Sequence, residues 1–294
     1  MTVARVMTAR RPRPLRRRRA NPVLFPILAA VTLAACGHLD SPEKDEALAA
    51  TSQSNLASLG EVIQKHPEDP QAYNMRGTVE AAGGQPEAAL ADFNKAVGLD
   101  PNYAQAYANR ALLYRQNGKL ELALADYNKA LAINASYVPA YIGRGIIYRQ
   151  QGHGAQALAD FNKAVTLKPD NAQSYYNRGL LYQSQNQHQF AIDDFSTTLT
   201  RTPQQADPYV GRALSYLAIG DTKSAAGDLD EAVQIAPTNV QAWTSRGLAY
   251  ERLGAKEKAA GSYAKALNLN EKYEPARTGF ARVGGKTGQS YQTF

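Results

Sequence analysis

The sequence predicts an all-α chain, an α-solenoid (superhelix) of six helix–turn–helix units with a partial capping helix at each end. Three observations predict it. First, a column of small residues, Gly77, Ala111, Gly145, Gly179, Ala213 and Gly247, recurs every 34 residues. Aromatic columns keep the same step: Tyr73, Tyr107, Tyr141, Tyr175, Tyr209 and Trp243, then Tyr114, Tyr148, Tyr182, Tyr216 and Tyr250. A fixed period in this range means stacked units, each too small to bury its apolar face alone. Second, apolar residues inside each unit have helical spacing; Tyr107, Ala111 and Tyr114 fall on one face. Third, turn signals divide each unit, and no segment sustains the period-two alternation of a strand.

The elements follow in chain order. Residues 1–35 read as an exported leader. They hold eight arginines and no acid, with Arg16-Arg17-Arg18-Arg19 as a basic n-region and residues 22–35 as an apolar stretch too short for a comfortable membrane span. Setting the leader's arginines aside leaves 25 basic and 26 acidic residues, so the formal charge of +7 belongs to the leader and the rest is at −1. A basic face on the folded part is therefore not expected, and neither is nucleic-acid binding. The leader runs into Leu33-Ala34-Ala35-Cys36, which resembles the bacterial lipobox, and Cys36 is the single cysteine. That resemblance implies cleavage before Cys36 and a lipid on its thiol, with more than one acyl chain giving a stable membrane anchor. Gly37 lacks the aspartate that retains such proteins at the inner membrane, so the resemblance favours an outer-membrane anchor facing the periplasm. An ordinary leader cleaved nearby is the alternative.

Residues 36–69 read as a tether followed by an N-terminal capping helix from about Asp45 to Lys65, with Leu59 and Val62 near the phase of a second helix. The six units are then 70–103, 104–137, 138–171, 172–205, 206–239 and 240–273. In the second, Gln116-Asn117-Gly118-Lys119 stops the first helix, with glycine near its C-cap. Pro101, Pro169, Pro203 and Pro237 close four of the units, since proline cannot continue a helix. Residues 274–294 hold a C-terminal capping helix with Phe280 and Ala281, then a mobile tail rich in glycine, serine, threonine and glutamine.

These columns resemble the tetratricopeptide repeat (TPR) family, over about 70–273. Its aromatic, glycine and tyrosine correspond to Tyr175, Gly179 and Tyr182, its later alanine and aromatic to Ala191 and Phe195, and its closing proline to Pro203. Glu80 departs from the tyrosine in the first unit. The family's leucine before the glycine is arginine throughout: Arg76, Arg110, Arg144, Arg178, Arg212 and Arg246. Partly buried arginines need partners. Asp92, Asp126, Asp160, Asp194 and Asp228 also step by 34, and Ser262 breaks the column. The preferred reading is an Arg–Asp ladder tying paired helices together; six cations lining a groove for an acidic ligand is the alternative.

The search for chemistry is nearly empty. His38, His66, His153 and His188 have no second ligand at metal spacing, and there is no H-E-x-x-H, G-x-S-x-G, P-loop or dinucleotide fingerprint. The expectation is a protein that is not an enzyme and uses no cofactor or metal. In the resembled family the first helices line a groove that takes extended peptides or helices. Carried over, that phase names Asn74, Ile142, Tyr176, Arg115, Arg149 and Gln183, with Asn109, Gln173 and Asn177 beside them, in an otherwise apolar lining. Several of its leucines could equally be core. The expected function is a lipid-anchored adaptor that docks envelope proteins such as peptidoglycan hydrolases or proteases. A pilotin-like assembly factor for a secretin or pilus system, and a self-associating structural lipoprotein, stay open.

Overall fold

The computed structural model describes residues 42–286 and Tyr291, all in one unit that runs from Ser41 to Phe294. The leader, Cys36 and the rest of the tail lie outside the described residues. Among those described are fourteen α-helices and no strand. The helix α1 (Pro42–Lys65) comes first, and six pairs follow. They are α2 (Pro70–Ala82) with α3 (Pro86–Leu99), α4 (Ala104–Gln116) with α5 (Leu120–Ile133), and α6 (Val138–Gln150) with α7 (Gly154–Leu167). Next come α8 (Ala172–Ser184) with α9 (His188–Leu199), α10 (Ala206–Ile219) with α11 (Thr222–Ile235), and α12 (Val240–Arg252) with α13 (Lys256–Leu269). The short α14 (Glu274–Arg282) ends the series.

Local chemistry sets the helix ends. Asp69, Asn171, Asp221 and Asn239 are N-caps whose side chains accept backbone N–H groups of the first turn. Pro70 and Pro86 open α2 and α3, where a missing N–H costs nothing. Every turn between paired helices needs one left-handed residue. Gly84, Gly118, Gly152, Gly220 and Gly254 supply it with φ of 72° to 86°, and Asn186 supplies it in the fourth pair at 59°. Glycine has no Cβ to clash there, and asparagine is among the few other residues that tolerate the conformation.

Packing follows the small columns. Ala89, Ala123, Ala157, Ala191, Ala225 and Ala259 are fully buried. A Cβ on Gly145 would stand 2.7 Å from the Phe161 ring, and one on Gly247 would stand 2.6 Å from Tyr263. The second-helix ring thus lies directly on the backbone of its partner helix. Tyr127 and Tyr263 carry a hydroxyl beyond that ring, and the next first helix makes room for it with Gly143 and Gly279, whose Cβ atoms would collide with the phenol.

Each second helix packs on the first helix of the following pair, and first helices also touch first helices from α2 and α4 through to α12 and α14. Among the described residues no two second helices come close. The stack therefore closes up on its first-helix side, which is the inner face of the curve. The ends are covered by α1, packed on α2, and by α14, packed on α12 and α13. Tyr291, in the segment read as a mobile tail, meets Phe280 edge-on at 5.5 Å, and its hydroxyl accepts from the Lys286 N–H.

Candidate functional site

The arginine column forms ion pairs. Arg76, Arg110, Arg144, Arg178 and Arg212 each donate through Nε and a terminal nitrogen to both oxygens of Asp92, Asp126, Asp160, Asp194 and Asp228, at 2.6–2.8 Å. Each pair joins the two helices of one unit in the bidentate geometry that a planar guanidinium favours. The carboxylate hydrogen bond is the main cause that raises the pKa of these arginines. The guanidiniums also lie over the tyrosine columns, as Arg144 does 5.7 Å from the Tyr141 ring and 5.9 Å from Tyr148. The first tyrosine column is thus half-buried against the arginines, where the sequence placed it in the core.

A second set of partners escaped the sequence reading. Arg110, Arg144 and Arg178 also donate to Asn94, Asn128 and Asn162, and Arg212 donates to Ser196, all on the second helix of the preceding unit. These residues step by 34 as well, so the signal was in the sequence, and the next member of the column is Asp230. Arg246, 3% exposed, donates to Asp230 at 2.6 Å and to Ser262 at 2.8 Å. It therefore pairs with the preceding unit, where the sequence reading left it without a carboxylate. Arg76 has no preceding unit of this kind. Its extra neighbour is Glu80 at 3.9 Å, whose Oε2 is buried with no hydrogen-bond donor. Burial, with Asp92 close by, pushes the Glu80 carboxyl up to about 7.

The inner face is less open than the repeat phase suggests. Asn74 is 1% exposed; it donates to the Tyr103 hydroxyl and accepts from Asn109. Ile142 is buried, and Asn177 is buried with its amide donating to the Gln173 carbonyl. These three are core or internal positions, because neighbouring first helices approach closely there. Asn109, half-buried, serves the Asn74 network; Gln173 is exposed. Gln183 donates to the Gly211 carbonyl and to Ser215 on the next first helix, at 2.9 Å each. One turn beyond the buried row, Leu112, Ile146, Leu180, Leu214 and Leu248 are half-buried, as is Tyr176. They form an apolar row along successive first helices.

Ionic groups flank that row. Glu251 on α12 is closed: Arg282 of α14 donates to both its oxygens at 2.8 Å, and the Tyr263 hydroxyl donates at 2.7 Å. Those bonds, that of Arg282 foremost, hold the Glu251 carboxyl below its ordinary value. The residues at the same repeat position on α4 and α6 are Arg115 and Arg149. Both are half-buried, and the Nε of each is sealed from solvent without an acceptor. The Tyr127 phenol lies beside Arg115 and that of Tyr176 near Arg149. Desolvation holds the Arg149 guanidinium below its ordinary pKa. Among the described residues no His, Cys, Asp and Glu cluster could hold a metal, and no helix is long and apolar enough to cross a membrane.

Comparisons with known proteins agree with this architecture. Family models described as TPR repeat match residues 77–118, 111–152 and 145–186, and models described as tetratricopeptide repeat match 172–205 and 210–275. No curated protein sequence matches the chain. Among solved structures, the chain resembles one in the APC/C hetero-tetramer Cut9–Hcn1, with a TM-score of 0.70 at 17% identity. That match covers 80% of this chain and 48% of the other, so this chain spans about half of its relative's length. A protein titled pilF from Pseudomonas aeruginosa matches with a TM-score of 0.66 at 20% identity, over 72% of this chain and 97% of that one. A tetratricopeptide repeat protein from Parabacteroides merdae gives 0.58 at 22%, over 83% and 100%. At such identities the likeness is one of fold. The family models, together with the paired helices and the repeated glycine-on-ring contacts, place this chain in the tetratricopeptide repeat family.

Proposed function

We propose that this protein is a non-enzymatic docking scaffold, held at the bacterial envelope by a lipid on Cys36, that takes extended or helical segments of envelope proteins along its first helices. The observation that carries the docking reading is the row from Leu112 to Leu248. Five apolar side chains at the same repeat position stay half-exposed on the inner face. Tetratricopeptide repeats are protein-interaction scaffolds in general, and an apolar groove flanked by a few polar groups suits a partner helix or strand. The Arg–Asp ladder does not compete for that role, since its guanidiniums are committed to internal carboxylates. The envelope address rests on the leader and on Leu33-Ala34-Ala35-Cys36 alone.

The test is photo-crosslinking in native envelope, with Tyr176 of the full-length protein replaced by a photoreactive residue. Specific capture of an envelope hydrolase or protease is the expected result; a secretin or pilus component would favour the assembly-factor reading. Crosslinks confined to a second copy of this chain would replace docking by self-association. The anchor is tested separately. Cys36→Ser should abolish the acyl mass on the mature N-terminus and release the protein from membranes.

A further inference from the structure

The concave row holds two cations that nothing in the protein neutralises. Arg115 and Arg149 stand one repeat apart on α4 and α6, first helices that touch each other. Neither has a carboxylate partner among the described residues, and each buries an Nε hydrogen with no acceptor. A sealed N–H without an acceptor is destabilising, and more so on a charged group. Elsewhere this chain closes such groups. The six ladder arginines all have a carboxylate, and Glu251, at the same repeat position as Arg115 and Arg149, is closed by Arg282. That last contact shows how the position is satisfied: an opposite charge is brought in by a helix packed alongside. On α4 and α6 the corresponding neighbours are Ile146 and Leu180, which carry no charge.

We propose that Arg115 and Arg149 form a carboxylate-binding subsite on the inner face, and that the segment docked there is a stretch of a partner protein carrying acidic side chains beside apolar ones. This rests on the docking reading above and deepens it by naming the partner's chemistry. Charge complementarity selects the acid, because the guanidinium fork matches a carboxylate bidentately. The half-buried Leu112, Ile146 and Leu180 around the two cations select apolar neighbours for that acid. They also disfavour a polyphosphate or nucleic-acid strand, which would bring charge onto apolar surface without burying any.

The experiment is selection from a randomised peptide display library on the full chain, followed by titration of an enriched peptide and of its copy with Glu and Asp changed to Gln and Asn. Enrichment of acidic residues beside apolar ones is expected, with the amide copy binding about tenfold or more weakly. In Arg115→Gln with Arg149→Gln the two peptides should bind alike. Arg115→Glu with Arg149→Glu should instead prefer a copy with lysines in place of the acids. Should the double variants fail to fold by circular dichroism, Arg149→Gln alone must still lower the acid preference. Enriched peptides that bind equally well as acid and amide would overturn the carboxylate subsite and leave docking standing. A library with no enriched peptide would overturn both. Anionic phosphatidylglycerol vesicles that bind wild type but not the glutamine variant, with no peptide bound, would make the occupant a lipid surface and sink the peptide proposal.

Discussion

The interior rungs of the arginine ladder and its last rung solve one problem with opposite arrangements. From Arg110 to Arg212, the guanidinium takes its carboxylate from its own second helix and a neutral asparagine or serine from the preceding one. At Arg246 the carboxylate is Asp230 on the preceding second helix, and the neutral group is Ser262 on its own. The exchange teaches that the fold requires one carboxylate per buried guanidinium and is indifferent to which flanking helix supplies it. It also changes what the ladder is. Each interior arginine is a staple between neighbouring units as well as between the helices of one unit, which matters in a solenoid whose stability rests on nearest-neighbour interfaces.

The largest effect should come from breaking the last rung. Asp230→Asn leaves Arg246, 3% exposed, with no carboxylate, and removes the acceptor of the Tyr250 hydroxyl as well. Loss of one partner of a buried pair costs about 3–5 kcal/mol, read as a fall in the denaturant midpoint. Adding Ser262→Asp to that variant rebuilds the interior arrangement and should restore most of the loss. A double variant no more stable than Asp230→Asn would show that the two sides are not interchangeable. Asp160→Asn, in an interior rung whose arginine side chain is 20% exposed, should cost less, about 2–3 kcal/mol, and leave peptide affinity unchanged. An unaltered melting temperature would sink the structural reading of the ladder.

The first rung sharpens the comparison, because it holds two carboxylates for one arginine. Glu80 has its folded pKa raised from 4.5 to about 7. The folded state therefore disfavours its ionised form. That penalty is absent below pH 4.5, grows as pH rises toward 7, and is complete above it. Glu80→Gln should leave stability nearly unchanged at pH 4, raise the melting temperature at pH 8, and flatten the slope between. Equal gains at both pH values would remove the carboxyl as the cause. The smallest effect concerns two glycines. Gly227 lies inside α11 with open space where a Cβ would go, so Gly227→Ala should stabilise by about 0.5–1 kcal/mol. At Gly143, where a Cβ would strike the Tyr127 phenol, the same change should destabilise by about 1–3 kcal/mol through overpacking.

Much of this was legible because a repeat reports its own contacts. Arg144 and Asp160 are 16 residues apart in the same relation as Arg110 and Asp126, so co-occurrence in successive units exposed the pairing. The interface partners were legible in principle, since Asn94, Asn128 and Asn162 keep the same step, yet nothing in one unit says that its arginine reaches back across a boundary. The inner face was harder to read. Asn74, Ile142 and Asn177 share the phase of Tyr176, and phase alone cannot say how closely neighbouring first helices approach.

By itself, then, the sequence determined the helical unit, its turns and its stacking, because those follow from local propensity, small residues at fixed spacing and one left-handed residue per turn. The tertiary structure decided which ionic groups are closed and which are left open. Glu251 finds Arg282 because α14 packs on α12, while Arg115 and Arg149 face apolar neighbours on helices packed just as closely. That outcome depends on the distance between helices in different units, a quantity no spacing along the chain encodes.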